Sequence, residues 1–232
     1  MTVTPRERAR EQTLAEITRI GREQLATQGA AALSLRAVAR DLGVVSSAVY
    51  RYVASRDELL TLLVIDGYTE LGAEVDAAVD ALADDDHRGR LHALSHAVRS
   101  WAIREPARYA LLFGSPVPGY HAPAERTTGP GTRVIVALVG IIEGAHRADA
   151  LTPLSSSAPV DPGLSADLDR IRAEMGLTVP DELLARGVMA WAALFGAINF
   201  EVFGQYGADT FADPAALFEH HLTVLDRILG LD

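Results

Sequence analysis

Apolar positions recur at steps of three and four from Leu14 through Ile17 and Gly21 to Leu25, which predicts one buried face of a first helix ending near Gly29. Ser34 stands where an N-cap belongs, ahead of Leu35, Val38, Ala39 and Leu42 on one helical face, and Gly43 closes this short second helix. A third short helix is expected over Ser46–Tyr52. Ser55 and Glu58 then have the spacing of a capping box, in which each side chain bonds the other's backbone N–H. The fourth helix they open carries Leu59, Leu62, Leu63 and Ile65 and should run to near Leu82.

Farther along, the acidic run at 84–86 marks a break, and a fifth helix is predicted over 88–105, stopped by Pro106. A short helix should follow and end near Phe113. Eight of the eighteen residues from 114 to 131 are Gly or Pro, so this stretch is predicted as loop. Helical spacing resumes from Thr132 to about Asp149, and TPLSSSAPVDPG from Thr152 reads as a second, mobile loop. A short helix near 165–175 precedes two long ones, about 181–206 and 214–229, the latter with Asp213 as N-cap and Pro214 at the first helical position. No segment alternates as a strand would. The predicted fold class is therefore all-α, with a small N-terminal helical domain over residues 1–55 and a larger helical one over 56–232.

Composition narrows the chemistry. With 232 residues the chain can bury a substantial core, and with no cysteine it excludes disulfides, thiolate metal sites and thiol nucleophiles, with a slight lean toward the cytoplasm. The start, MTVTPRERAR, leads into a charged amphipathic segment rather than an apolar one, so no secretory signal is expected. The longest apolar runs, VIVALVGII from Val134 and VMAWAALFGAI from Val188, fall short of the roughly 20 residues that span a bilayer and are expected to be buried helices. Net charge is −10, yet residues 1–56 hold nine Arg against five acids while the remainder holds 12 Arg against 26. Only the N-terminal quarter is suited to meeting a polyanion.

That quarter contains LGVVSSAVYRYVASRDEL, residues 42–59. Two short amphipathic helices joined at a glycine make a helix-turn-helix, whose second helix can enter the major groove. Small side chains at Ser46, Ser47 and Ala48 would allow close approach to base edges, with Tyr50, Arg51 and Tyr52 reaching phosphates. Ser55 and Arg56 at the start of the fourth helix form a candidate phosphate site. Ser34, Arg36, and Arg6 and Arg8 in a basic arm ahead of the first helix complete the candidate DNA contacts.

From Leu33 to Leu59, LSLRAVARDLGVVSSAVYRYVASRDEL resembles the signature of TetR-family (tetracycline-repressor-type) transcriptional regulators: the hydroxyl cap at Ser34, the turn over Ala39–Val44, tyrosines at 50 and 52, and the capped fourth helix. Three positions depart from it. Val45 stands where Ser or Thr is usual, Val53 replaces Phe, and Arg56 replaces Lys, exchanging a point charge for a planar fork. RYALLFGSPVPGY from Arg108 and WAALFGAINFEVFGQY from Trp191 are similar to an actinobacterial branch of the family. The resemblance implies a cytoplasmic homodimer that represses from a double-stranded DNA operator and is released by a small-molecule effector, the N-terminal three-helix domain being joined by the long fourth helix to a ligand-binding and dimerisation domain. It implies dimerisation through the last two long helices. Small residues at Gly187, Ala190, Ala193, Ala197 and Gly204 and the leucines at 217, 222, 225 and 229 suit such an interface. It also implies an effector pocket, for which Trp101, Tyr109, Phe113, Tyr120, Trp191, Phe195 and Asn199 are candidate liners and Glu143 and His146 candidate polar anchors.

Neither catalysis nor a cofactor is expected. No nucleophile elbow or phosphate loop is present. His92 and His96 lie four apart, a spacing that suits one metal ion, but the sequence supplies no third ligand beside them, so no metal site is assigned. His220 and His221 are adjacent on a helix and diverge. The remaining alternative is an all-helical module that binds a ligand or a partner protein without DNA.

Overall fold

The computed structural model describes residues 4–153 and 159–232, and among these it contains eleven α-helices and no strand. They are α1 Pro5–Gln28, α2 Leu35–Asp41, α3 Ser46–Tyr50, α4 Arg56–Asp80, α5 His87–Arg104, α6 Pro106–Phe113, α7 Ala124–Gly131, α8 Arg133–Arg147, α9 Pro162–Met175, α10 Asp181–Val202 and α11 Pro214–Leu229. Residues 154–158 of the predicted second loop lie outside the described residues.

Most helices begin at a cap written in the sequence. Ser34 Oγ accepts from Ala37 N–H, Ser55 Oγ from Glu58 N–H and Asp213 Oδ1 from Ala216 N–H. Asp86, the last residue of the acidic break, caps α5 by accepting from Gly89 N–H at 2.9 Å. Only half of the expected capping box at Ser55 forms, because the Glu58 carboxylate accepts two hydrogen bonds from Arg126 instead. A complete box occurs farther upstream, where Thr4 and Glu7 exchange hydrogen bonds around Pro5. α1 thus starts at Pro5, and Arg6 and Arg8 lie on its first turns rather than in an arm before it.

Two further expectations are corrected. The Gly- and Pro-rich stretch predicted as loop contains α7, whose Pro130 and glycines make it a poor helix by propensity. Tertiary contacts override that: Thr127 is buried, Arg126 pairs with Glu58, and Gly131 lies against the Tyr68 ring, with space for a Cβ only 3.2 Å from it. α10 is long and apolar enough to cross a membrane by length and composition, which the apolar run from Val188 taken alone is not. It packs on α8, α9 and α11, with Leu183, Leu184, Ala190, Leu194 and Ile198 buried, the behaviour of a core helix.

The chain folds as two compact units, which cut it differently from a boundary at residue 55: one holds the chain up to Glu70 together with Ala102–Gly131, the other Leu71–Trp101 with Thr132–Asp232. The difference arises because α4 is continuous through residue 70 and because α6 returns to pack on α1. In the first unit Ile17, Ile20, Leu25, Leu35, Val38, Val49, Val53, Leu59 and Leu63 form one core, with Leu111, Val117 and Tyr120 against it. Gly21 lets α1 lie close to α4, since a Cβ there would sit 3.2 Å from Leu59 and 3.3 Å from Leu63. The second unit is centred on Leu91, Leu94, Trp101, Leu138, Ile142, Ile198 and Leu222, all buried.

Candidate functional site

The helix-turn-helix is held from beneath. Leu35, Val38 and Ala39 of α2 and Val49 of α3 point into the first unit's core. Gly43 takes φ 68°, a left-handed backbone that a side chain would strain, and Val44 N–H returns to the Ala39 carbonyl at 3.0 Å. This turn aims α3 outward. Val45 occupies the N-cap position in extended conformation and gives no side-chain hydrogen bond, as its lack of a hydroxyl predicts.

Burying Val49 on a five-residue helix leaves its other side to solvent. Ser47, Tyr50 and Arg51 are exposed, as are Arg6, Arg8 and Arg36, while Ser46 and Ala48 are half-buried. Tyr52 is half-buried under the guanidinium of Arg10, which lies 5.5 Å from its ring centroid. Arg56 turns partly inward: its Nη2 donates to the Ala30 carbonyl at 2.8 Å, tying the start of α4 to the turn that follows α1. Sequence reasoning missed Arg10, recognisable only once α1 is known to extend to Pro5. It also missed Val44 and Val45, 45% and 71% exposed, which place two apolar side chains at the entry to α3.

The candidate effector residues divide between the units. Tyr109, Phe113 and Tyr120 belong to the first, where Phe113 lies 5.0 Å from Tyr109 and 5.9 Å from Tyr68, and the Tyr120 hydroxyl is 3.0 Å from Thr61 Oγ1. Burial raises the pKa of the Tyr109 phenol. Trp101, Glu143, His146, Trp191, Phe195 and Asn199 belong to the second. Trp191 and Phe195 stack at 5.2 Å along one face of α10, and Asn199, one turn farther on, has a buried amide oxygen that takes no hydrogen bond among the described residues.

Glu143 has a different employment. Its carboxylate accepts from Thr178 N–H at 2.9 Å, Thr178 Oγ1 at 2.6 Å, Val179 N–H at 3.2 Å and Arg147 Nε at 2.5 Å, clasping the segment between α9 and α10 to α8. Burial pushes its pKa up, but these donors together outweigh burial and hold it below the ordinary carboxylate range. A folded-state pKa below the unfolded one stabilises the protein above the ordinary carboxylate pKa, and the gain is lost as pH falls through the lowered value. Glu143→Gln should therefore cost about 1–3 kcal/mol at neutral pH. In denaturant melts the gap to the wild type should close as pH drops into the acid range, and a gap independent of pH would show the charge to be irrelevant.

The second unit contains at least two hollows. One, of about 330 Å³, is an apolar groove on α10 and α11 lined by Ala193, Ala197, Phe200, Leu222, Val224 and Ile228. Another, of about 380 Å³, is lined by Asp76, Asp80, Arg90, Arg133, Val136 and Gly140 among others. Neither is lined by the nine effector candidates. The expected stripe of small residues on α10 also splits: Gly187 and Ala190 are buried in the unit's own core, Gly187 against Ile142 of α8, while Ala193 and Ala197 border the groove. Gly204 lies beyond the helix, which ends at Val202.

Residues 17–63 match bacterial regulatory proteins of the tetR family, and residues 91–225 match the tetracyclin repressor-like C-terminal domain. The HTH-type transcriptional regulator Rv1816 of Mycobacterium tuberculosis is 48% identical over 228 residues, 98% of this chain and 97% of that protein. The protein belongs to the TetR family. A regulator of the same description from Mycobacterium bovis, Mb1846, matches equally. Among solved structures, SCO4313 aligns with TM-score 0.77 at 38% identity, covering 96% of this chain and 98% of the other. RolR, crystallised with resorcinol, shares the fold at TM-score 0.55 and 15% identity, covering 96% and 90%. This TetR-family protein is thus a transcriptional regulator of a family that binds DNA operators and small-molecule effectors, and such regulators are typically not enzymes.

Proposed function

We propose that the protein is a cytoplasmic homodimeric repressor that reads its operator with α3 and leaves it when a small, largely apolar effector enters the second unit. The observation that carries this reading is the outward side of α3, where Ser47, Tyr50 and Arg51 are exposed on a helix whose opposite side is locked into the core by Val49. Small side chains at Ser46, Ser47 and Ala48 admit close approach to base edges. Val44 and Val45 are suited to thymine methyl groups. Arg51, Arg36, Arg6 and Arg8 supply phosphate contacts, with Tyr50, Tyr52, Ser34 and Ser55 as hydrogen-bonding partners. The head up to residue 55 reads DNA, and residues 56–232 bind effector and dimerise.

Dimerisation uses α10 and α11. Phe200 on α10 and Val224 on α11 are exposed apolar side chains lining the groove, and Val188 and Met189 are exposed apolar side chains farther up α10; exposed apolar surface of this kind marks a protein interface. Two heads so joined would address half-sites about one helical turn of DNA, or a multiple, apart. Within the second unit, effector contacts come from Trp101, Trp191, Phe195 and His146. The unpaired amide oxygen of Asn199 favours an effector with a hydroxyl or N–H donor. α4 contributes residues to both units, so it is the path by which effector binding would change the setting of α3. A coupling of about 1–3 kcal/mol would weaken operator binding roughly 5- to 150-fold, provided the effector discriminates between the two states.

Fluorescence anisotropy on the duplex upstream of the protein's own gene, with a scrambled control and a salt series, tests the reading. Preference for the native duplex with steep salt dependence is expected. Arg51→Ala should weaken binding to both duplexes alike and lower the salt slope by about one. Unchanged affinity and slope in that variant would remove Arg51 from the interface, and equal weak binding to both duplexes would favour a helical module that does not read this DNA.

A further inference from the structure

The sequence offers His92 and His96 one helical turn apart on α5 with no third ligand in sight, and the fold brings that ligand from α11. A donor atom from each of His92, His96 and Glu219 lies within 4.8 Å of the other two. His96 Nε2 is 3.0 Å from Glu219 Oε1. Four-coordinate zinc, with bonds of about 2.0–2.2 Å, holds neighbouring ligand atoms roughly 3.4 Å apart, so modest side-chain rotations would seat an ion among the three.

A second observation distinguishes this cluster from a chance meeting of surface charges. Asp226, one of the few charged residues that is wholly buried, lies two turns along α11 from Glu219, and its carboxylate holds His92 Nε2 at 2.9 and 3.0 Å while also accepting from Arg88 Nε at 2.8 Å. A carboxylate that grips one imidazole nitrogen, fixing the ring, is the arrangement that orients metal-binding histidines. The three ligands themselves are accessible, with His92, His96 and Glu219 side chains 23%, 41% and 55% exposed.

We propose that His92, His96 and Glu219 form a binding site for one divalent first-row transition cation, of the Zn²⁺, Co²⁺ or Ni²⁺ class, linking α5 to α11. Two imidazoles and one carboxylate select this class over Mg²⁺ and Ca²⁺, which prefer all-oxygen shells, and three protein ligands leave a fourth tetrahedral position to water. Binding replaces the His96–Glu219 contact with two bonds to metal, His96 serving as the neutral imidazole with its proton on the nitrogen that does not bind. Because the ion joins two helices of one unit, it stabilises that unit without touching α3.

The test uses the full chain without an affinity tag, stripped with chelator. Co²⁺ should give the visible absorption bands of a tetrahedral site, Zn²⁺ should abolish them, and calorimetry should find one ion per chain. At a hundredfold excess over Kd, Zn²⁺ should raise Tm by about 5–10 °C. His96→Ala and Glu219→Gln, both at accessible positions and verified as folded by circular dichroism, should each weaken Zn²⁺ binding at least tenfold, whereas His220→Ala and His221→Ala should leave it unchanged. Absence of the cobalt bands in the wild-type protein, or zinc binding that survives His96→Ala, would overturn the site.

Discussion

Val224→Glu should convert the protein from dimer to monomer and weaken operator binding by about two to four orders of magnitude. Val224 is 38% exposed at the edge of the apolar groove on α10 and α11. In an isolated chain a glutamate there would remain solvated and cost little. In the proposed dimer it would be buried against the partner's apolar surface with no countercharge, a penalty no interface of this kind can absorb. The effect on DNA is larger than that of any single phosphate contact because a dimer holds its second head at high effective concentration once the first has bound, and a monomer loses that advantage entirely. Sedimentation equilibrium and anisotropy on the same preparations check both halves. Leu164→Glu, at an equally exposed apolar position on α9, is the control. A Val224→Glu protein that stays dimeric would place the interface elsewhere.

A second large effect is expected in the first unit, from Asp66→Ala combined with Glu70→Ala. The Arg108 side chain is only 4% exposed and donates to Glu70 at 2.8 and 2.9 Å and to Asp66 at 2.9 Å, with Glu105 at 3.5 Å. Arg22 of α1 reaches the same two acids, with Nε 2.7 Å from Asp66 Oδ2 and Nη1 3.6 Å from Glu70. Two arginines and two carboxylates thus join α1, α4 and α6. Burial lowers the Arg108 pKa, but the hydrogen bonds and charges of Glu70, Asp66 and Glu105 outweigh it and raise the value overall. Removing both acids takes from the buried guanidinium its two nearest countercharges, which costs about 3–5 kcal/mol. Arg108→Met should cost less, because the acids it abandons keep Arg22 and are exposed enough to rehydrate. Chemical denaturation of the three proteins tests this ordering. Equal losses would mean that packing of the Arg108 stem, rather than its charge, dominates.

The sequence by itself determined most of the elements and the helix-turn-helix. Caps and amphipathic spacing act within three or four residues, so Ser34, Gly43, Ser55 and Asp213 could be interpreted where they stand. The same locality made α7 illegible, since its Gly and Pro content speaks for loop and only Tyr68, Glu58 and the surrounding unit hold it helical. The Thr4–Glu7 box and the Asp86 cap were legible signals hidden inside charge runs that suggest an arm and a break.

What only the tertiary structure decided are pairings across long stretches of chain. His92 meets Asp226 across 134 positions and Arg108 meets Asp66 across 42, and no periodicity encodes such partners because each helix is equally content with any neighbour that satisfies its side chains. Glu143 shows the consequence. As a lone acid near the end of an apolar helix it suggests a ligand anchor, yet the fold fills its carboxylate with Thr178, Val179 and Arg147. His92 and His96 show the converse: a spacing without a partner in the sequence acquires Glu219 through the packing of α11 on α5. Local geometry fixes which side chains an element presents, and tertiary packing fixes what they are presented to.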